Sequence, residues 1–541
     1  MKIYKFIILS LLLSNTLIAD LNKNFNTANK RQELLEIEKN IDNFNSIKLD
    51  TQSKKTQSSV SNKRFYIKQI IIENETMLPG LQKQLQKYTP KKLTINDIYT
   101  IIHIINNYYL SNGFSTTLVN LEKIDLDNGK LIFKIYYGLV NKIYVNNILD
   151  TYKAKINIPI KSRDKFNIIR LDQALENIKN SSYEVTASIV PSTKPGYSDI
   201  YIYEKHKKLN LSVGVDNSGN DNNGFLSSNL NLTVNDLLGV SDTLSFIQVH
   251  RFLNLEANSE NTYAVNYRLP YNYFLINYSL QYAQSKYIIN GDLDNYYNKN
   301  NILNHNISLQ RYLYRDSNHK VLLYVSYTNK KTINKIDDIV LNSSSYTSEK
   351  IDIGINLLKI LNTGYIYADF KYKKGLSKNN LKNENDDSIY DKYFDIFNFL
   401  LIVNKYLYHN DTFRIDFNTN IEATYTPNYL LNTNKFYVGD NYTVRGLQLN
   451  TVMWDYGGYA KNDLVFKLHT LPMVDFKIGV DIGYGRDREL INNDFLVGVS
   501  GSVDINYNNF NTYFTLARIL KTGYDMVKED ITMYLGFNVK F

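Results

Sequence analysis

Apolar and polar residues alternate strictly over the last eleven positions, ITMYLGFNVKF. Counting back from Phe541, Val539, Phe537, Leu535, Met533 and Ile531 form the apolar set. Lys540, Asn538, Gly536 and Thr532 form a polar or small set, which Tyr534 interrupts. A period of two over about ten residues predicts a membrane β-strand with one face to lipid and one to a wet lumen. An edge strand of a soluble sandwich would share that pattern, so the rest of the chain decides. LNLSVGVDNSG places Leu209, Leu211, Val213 and Val215 on one face, and LSSNLNLTV does the same with Leu226, Leu230, Leu232 and Val234. From Lys208 to Phe541 about 330 residues, at about 20 per strand and connection, allow about sixteen strands. Asn- and Asp-rich stretches, NGDLDNYYNKNN and SKNNLKNENDDS, read as loops between them.

Other periods mark the N-terminal part. Lys2 and Lys5 precede an apolar stretch from Phe6 to Leu13, and Ala19 precedes Asp20, the pattern of a secretory signal peptide over residues 1–19. Residues 20–63 read as an amphipathic helix, with Leu34, Leu35, Ile37, Ile41 and Phe44 among charges, followed by a polar linker. No run has the eighteen or so apolar residues of a spanning helix, so a membrane form must cross as a closed barrel. From Arg64 the pattern is mixed. FYIKQIIIE reads as a strand and LPGLQKQLQKY as a short helix. Thr94 and Asp97 form a capping box for a helix with Ile98, Ile101, Ile102, Ile105 and Tyr108 on one face. Gly113 suits a left-handed cap, and a hairpin turns at Asp127-Asn128-Gly129.

Composition adds three constraints. The chain of 541 residues has no Cys, which excludes a disulfide scaffold and cysteine metal sites. It has 46 Tyr and 25 Phe against one Trp, which suits aromatic girdles, although a bias toward Asn, Lys, Ile and Tyr would give the same excess. The net charge of +9 is spread along the chain and predicts attraction to acidic lipid or client, not nucleic-acid binding. Catalytic motifs are missing. The seven His are scattered, and neither a G-x-S-x-G elbow nor a P-loop or dinucleotide fingerprint occurs. No catalytic residue, cofactor or metal is expected.

The order β-α-α-β-β over residues 64–140 resembles a POTRA domain, and LTINDIYTIIHIINNYYLSNGFSTTLVNLEKIDLDNGKLIFKIYYGLVNKI resembles the first POTRA of two-partner secretion transporters. A second copy is read over 141–207, with IIRLDQALENIKN as its helix and PSTKPGYSDIYIYEK at its closing strands. VGVDNSG, NDLLGVSDTLSF and YRLPYNYFLINYSLQYAQSKY resemble the opening of that family's barrel. Val444-Arg445-Gly446-Leu447 resembles the tip of its inward-folded loop, here around 436–450, and GVDIG resembles the strand carrying the loop's Asp partner, which falls at Asp481 with Gly483. Gly479 and Leu447 stand where the family usually has aromatics, and Gly439-Asp440 replaces a common Gly-Gly. Independently, the alternation of IGVDIGY turns Asp481 to the lumen between Gly479 and Gly483, where an Arg can bind it with two parallel hydrogen bonds.

The resemblance implies an all-β transmembrane barrel of about sixteen antiparallel strands behind two α+β POTRA domains. It implies haemolysin secretion/activation (type V secretion): transport across the bacterial outer membrane of a large partner protein caught unfolded by periplasmic POTRA domains. Outer-membrane lipid and the barrel-assembly machinery are the other implied partners, with Phe541 as assembly signal. Ile98, Ile101, Ile105 and Tyr108 are expected to line a client groove. A barrel-assembly insertase of the same superfamily and a passive porin are the alternatives.

Overall fold

A computed structural model describes residues 25–44, 64–73, 80–149, 151–218, 226–254, 258–290, 294–342, 344–376, 391, 393–448, 452–488, 493–523 and 529–541. The signal peptide and polar linker read from the sequence lie outside these residues, as does the SKNNLKNENDDS loop.

Sixteen long strands, from Leu209–Asp216 to Thr532–Lys540, pair antiparallel with their sequence neighbours and close into a barrel, and Ile339–Val340 extends one hairpin. First and last strands meet from Ser212↔Lys540 to Asp216↔Gly536. The alternation is physical: Val213 and Val215, and Met533, Leu535 and Phe537, are exposed on the outside, whereas Asp216, Thr532 and Tyr534 are buried inside. The barrel walls differ in height. The first strand has 8 residues, but Phe274–Asn290, Asn295–Arg315 and His319–Ile336 have 17, 21 and 18. About ten tilted residues cross a bilayer, so this wall overshoots it. The reading of NGDLDNYYNKNN as a loop is therefore corrected: from Asn295 onward it is strand. Beyond the lipid neither face is apolar, so alternation disappears while the hydrogen-bonded ladder continues.

The elements from Arg64 to Tyr136 form one small unit. Helix α2 (Leu81–Leu85) and helix α3 (Ile95–Ser111) pack on a sheet of Gln69–Glu73, Lys130–Tyr136 and Leu118–Asp125. Thr94 caps α3 by accepting from the Asp97 N–H, while Asp97 accepts from the Thr94 N–H at 2.7 Å. The bonds it accepts from the Thr94 N–H and from the Thr94 hydroxyl, the latter at 2.8 Å, hold the Asp97 carboxyl below the usual range. Gly113 ends the helix at φ +88, a conformation that glycine adopts without a Cβ clash. Lys91–Thr94 adds a strand against Arg64–Ile67 that the sequence reading lacked. A second unit, Leu139–Lys205, packs helices α4 (Tyr152–Asn157) and α5 (Ile168–Lys179) on a four-stranded sheet.

That second unit sits on the turns at one barrel end. Asn157 Nδ2 donates to the Val240 carbonyl, Asn177 Nδ2 to that of Asn272, and Asn180 Nδ2 to that of Ser241. Glu176 of α5 takes Lys320 at 2.8 Å, and Arg315 as well. Although burial pushes its carboxyl up, these two cations hold it down at about 2.

Candidate functional site in the barrel lumen

Two elements occupy the lumen. The first is helix α1 (25–44). Its twenty residues rise about 30 Å, enough to run through the barrel. Phe25 packs on Ala283 and Ile302, and Ile37, Ile41 and Phe44 pack on Leu358, Leu400 and Ile402. Its charges find partners on several walls: Lys30 with Glu422 at 2.8 Å, Arg31 with Asp216 at 3.2 Å and Glu33 with Lys371 at 3.4 Å. Leu35 stays exposed. The Phe44 ring lies under Arg315 and Lys320, the cations that also hold Glu176.

The second element is the connection between Phe413–Tyr425 and Tyr456–Leu468, which turns back into the barrel. Phe436–Val438 pairs with Val452–Trp454 to form its stem. Asp440 fastens the tip, accepting from the N–H groups of Tyr442 and Thr443 at 2.8 and 2.9 Å. Its other oxygen accepts from Thr27 Oγ1 of α1 at 2.9 Å, so the two elements touch.

At the tip Arg445 is buried against Asp481. Its Nε and Nη2 donate to the two carboxylate oxygens, both at 2.7 Å, and its backbone N–H adds a third bond at 3.0 Å. Nη1 reaches Asp463 at 2.7 Å, and Nη2 also reaches the Asn462 carbonyl at 3.3 Å. Arg445 is 2% exposed and Asp481 0%. The fork of a guanidinium suits this two-point contact better than an ammonium.

The strand interiors leave room for the loop by omitting side chains. A Cβ at Gly479 would run into the Arg445 guanidinium and the Ser500 hydroxyl, and one at Gly498 into the Arg445 carbonyl. A side chain larger than hydrogen at 479 would therefore compete with the guanidinium for the same volume. Gly446, at φ +98, would bring a Cβ to 2.6 Å from the Ile519 nitrogen. Gly483 faces Val444 and Trp454 more loosely, at 3.1 and 3.2 Å. Val438, Val444, Leu447, Val452, Trp454, Tyr459, Leu496 and Ile519 close a dry cluster around the tip. Leu447 is 0% exposed there. Tyr534, the break in the last strand's alternation, accepts from the Gly446 N–H at 3.2 Å and donates to the Leu447 carbonyl at 2.9 Å.

The expected client groove on α3 needs correction. Ile98, Ile101 and Ile105 are buried in their own unit's core beside Leu81, Leu93 and Phe133, with Tyr108 packed against them. The helix covers its own sheet, so this face has no free surface. Phe541 is exposed as a side chain, but its backbone exchanges two hydrogen bonds with Leu211 of the first strand. Sequence reasoning missed Asp463, Trp454 and Tyr534; the signals available were the only Trp in the chain and the Tyr that breaks an alternation. Among the described residues Glu204, His206 and Asp236 bring ligand atoms within 4.8 Å of one another. Lys153 already ion-pairs with both carboxylates, which supplies the cation.

A model for the POTRA domain, ShlB-type, matches residues 65–138. The outer membrane transporter CdiB of Dickeya dadantii is 24% identical over 441 residues, covering 80% of this chain and 78% of that protein. The hemolysin transporter protein HpmB of Proteus mirabilis is 24% identical over 446 residues, with 77% and 75% covered. The fold is that of CdiB from Escherichia coli, with a TM-score of 0.86 at 19% identity over 96% of this chain and 99% of that one. The model of the haemolysin secretion/activation protein ShlB/FhaC/HecB family matches residues 196–505, more than half of the sequence, and the chain belongs to that family.

Proposed function

We propose that the chain exports a large partner protein across the outer membrane by two-partner secretion, through a barrel held shut by α1 and the Arg445 loop. The observation that carries this is the double occupancy of one lumen. A channel-forming barrel has no structural need for a helix and a folded-back loop on its axis, whereas a gated conduit does. Residues 64–140 and 141–207 act as two periplasmic POTRA domains that hold the client unfolded. The client joins a sheet edge, where backbone hydrogen bonds give affinity with little side-chain selectivity. Leu118–Asp125 is such an edge, and Leu118, Ile124 and Leu126 along it are exposed. Drive comes from folding at the surface. Phe541, zipped to the first strand, serves as signal for the barrel-assembly machinery.

The test is deletion of residues 64–140, followed by assay of partner protein in the medium and of heat-modifiable barrel in outer membranes. Secretion should be lost with barrel levels kept. Normal secretion would sink the assignment of client capture to this unit.

A further inference from the structure

We propose that the tall wall of the barrel carries a binding site for the phosphorylated headgroup of outer-leaflet lipopolysaccharide, built from Lys286, Lys299, Lys331 and Lys335. This rests on the outer-membrane orientation described above. The register sets Lys286 opposite Lys299, and Lys299 opposite Lys335, on three adjacent strands. Their facing follows from neighbours: Ala283 and Ile302 are buried inward against Phe25, and Asn334 and Lys330 are buried inward too. Odd offsets from these residues turn all four lysines outward. Like charges directly opposite one another destabilise a sheet. Among the described residues none of the four forms an ion pair. Two carboxylates of the same wall bond elsewhere: Glu349 accepts from Asn329 at 2.9 Å, and Asp337 from the Tyr297 N–H at 2.9 Å. The contrast lies two strands further round, where outward Lys374 is neutralised by Asp395 at 2.8 Å.

Height names the ligand. The second α+β unit contacts the turns near Asn272 and Arg315, which marks the periplasmic end. Going up from there, the outer face shows exposed Ile276, Tyr278, Tyr282, Leu303, Ile307 and Leu309. Lys331 stands opposite Leu303, at the top of this apolar band. The row of Lys286, Lys299 and Lys335 is four residues higher, about 10 Å along the barrel axis for a tilted strand. Two basic tiers thus bracket the boundary where acyl chains end and the phosphates of lipid A begin. Long lysine stems can lie on the apolar band while their ammonium groups reach that layer. Free phosphate would fit the charge but not the position beside acyl chains.

The test uses full-length protein purified from outer membranes. The probes are lipopolysaccharide with both lipid A phosphates, the same lipid dephosphorylated, and inorganic phosphate. Binding is read by native mass spectrometry, and barrel integrity by heat-modified migration. Wild type should retain the phosphorylated lipid and lose the dephosphorylated one. Inorganic phosphate should not compete at concentrations that leave the lipid soluble. Each lysine near an anionic surface is worth roughly fivefold in affinity, so K286Q/K299Q/K331Q/K335Q should lose at least about a hundredfold. The matching four Lys→Arg changes should keep binding, and Lys374→Gln should not alter it. Equal retention of dephosphorylated lipid by wild type would overturn the site, and that arm decides even if the quadruple variant assembles poorly. Full competition by inorganic phosphate, or undiminished binding by a folded quadruple variant, would overturn it as well. A wild-type chain absent from the outer membrane would overturn the orientation along with the site.

Discussion

Replacing Arg445 by Ala removes one cation from between two carboxylates. Asp481, with no exposure, keeps only the N–H groups of residue 445 at 3.0 Å and Asn462 at 3.3 Å. Asp463 loses its 2.7 Å partner. Breaking a buried pair from one side typically costs about 3–5 kcal/mol, because the remaining charge stays desolvated. Lys461, directly opposite Asp481 in the strand register, offsets part of that, so about 3 kcal/mol is expected. Asp481→Asn preserves shape and leaves Arg445 paired with Asp463, so about 2 kcal/mol is expected. If the residues act as one contact, the double variant loses about 3 kcal/mol and the coupling is about 2 kcal/mol.

The chain supplies its own reporter. Trp454 is the only Trp, is 0% exposed in the cluster around the loop, and donates to Asp494 at 2.9 Å. Its emission should shift red and become open to acrylamide when Arg445→Ala frees the tip. The native barrel should resist quenching. Secretion should fall in both single variants with barrel levels nearly unchanged. Losses that add to within about 0.5 kcal/mol, or a Trp454 in Arg445→Ala as protected as in the native chain, would refute the shared contact.

Gly498→Ala should open Trp454 to quencher like Arg445→Ala, since its Cβ meets the Arg445 carbonyl, whereas Gly501→Ala on the same strand meets nothing within 4 Å and should be silent. Thr94→Ala should lower amide-exchange protection of α3 by about 1 kcal/mol, the usual value of an N-cap. Asp172 of α5 is pushed up to about 6 by burial, with Glu176 adding and Arg315 opposing. Its raised pKa means the fold is favoured below the unfolded value near 4 and loses that advantage as pH rises through about 6. Asp172→Asn should therefore strengthen α5 amide protection by about 2 kcal/mol at pH 7.5 and leave it unchanged at pH 4. Raising salt to about 1 M, where the Debye length is about 3 Å, should expose a thiol at Ile37→Cys before it exposes Trp454. The absence of native Cys makes that labelling specific.

Alternation carried most of the architecture. Wherever lipid and water lie on opposite sides, as at Val213 and Val215 or Met533 and Leu535, the sequence repeats that boundary every second residue. It fails where the boundary ends: Asn295 to Asn301 are polar on both faces, yet the ladder continues above the membrane. The inward facing of Asp481 follows from the same period, but its partner does not. Asp463 lies in an ordinary YAKNDLVF, and only the pairing of Tyr456–Leu468 with Val474–Arg486 brings it to Arg445. On α3 the apolar stripe was legible, but a stripe does not say what covers it. Here the unit's own sheet does. The seat of α1 was not legible at all, because its partners Glu422, Asp216 and Lys371 come from strands far apart in the chain.

The two occupants of the lumen are held by different physics, and this orders their release. Outside the short apolar contacts of Phe25, Ile37, Ile41 and Phe44, α1 is fixed by ion pairs on a wet wall. Arg31 and Glu33 keep about a third of their side chains exposed. The Arg31 and Glu33 pairs are therefore the ones that salt screens and water can replace when broken, whereas Lys30 and Glu422, at 12% and 15% side-chain exposure, form the more enclosed pair. The Arg445 tip has no such substitute. Its charges are enclosed, its indole and valines are dry, and the glycines that admit it leave holes if it withdraws. A client that offers charges of its own can compete for Glu422, Asp216 and Lys371 and displace α1 by exchange. Displacing the tip requires the barrel to fill or hydrate the space beside Gly479 and Gly498. The helix is therefore the element suited to leave first, and the Thr27–Asp440 bond is where its departure is first felt by the loop.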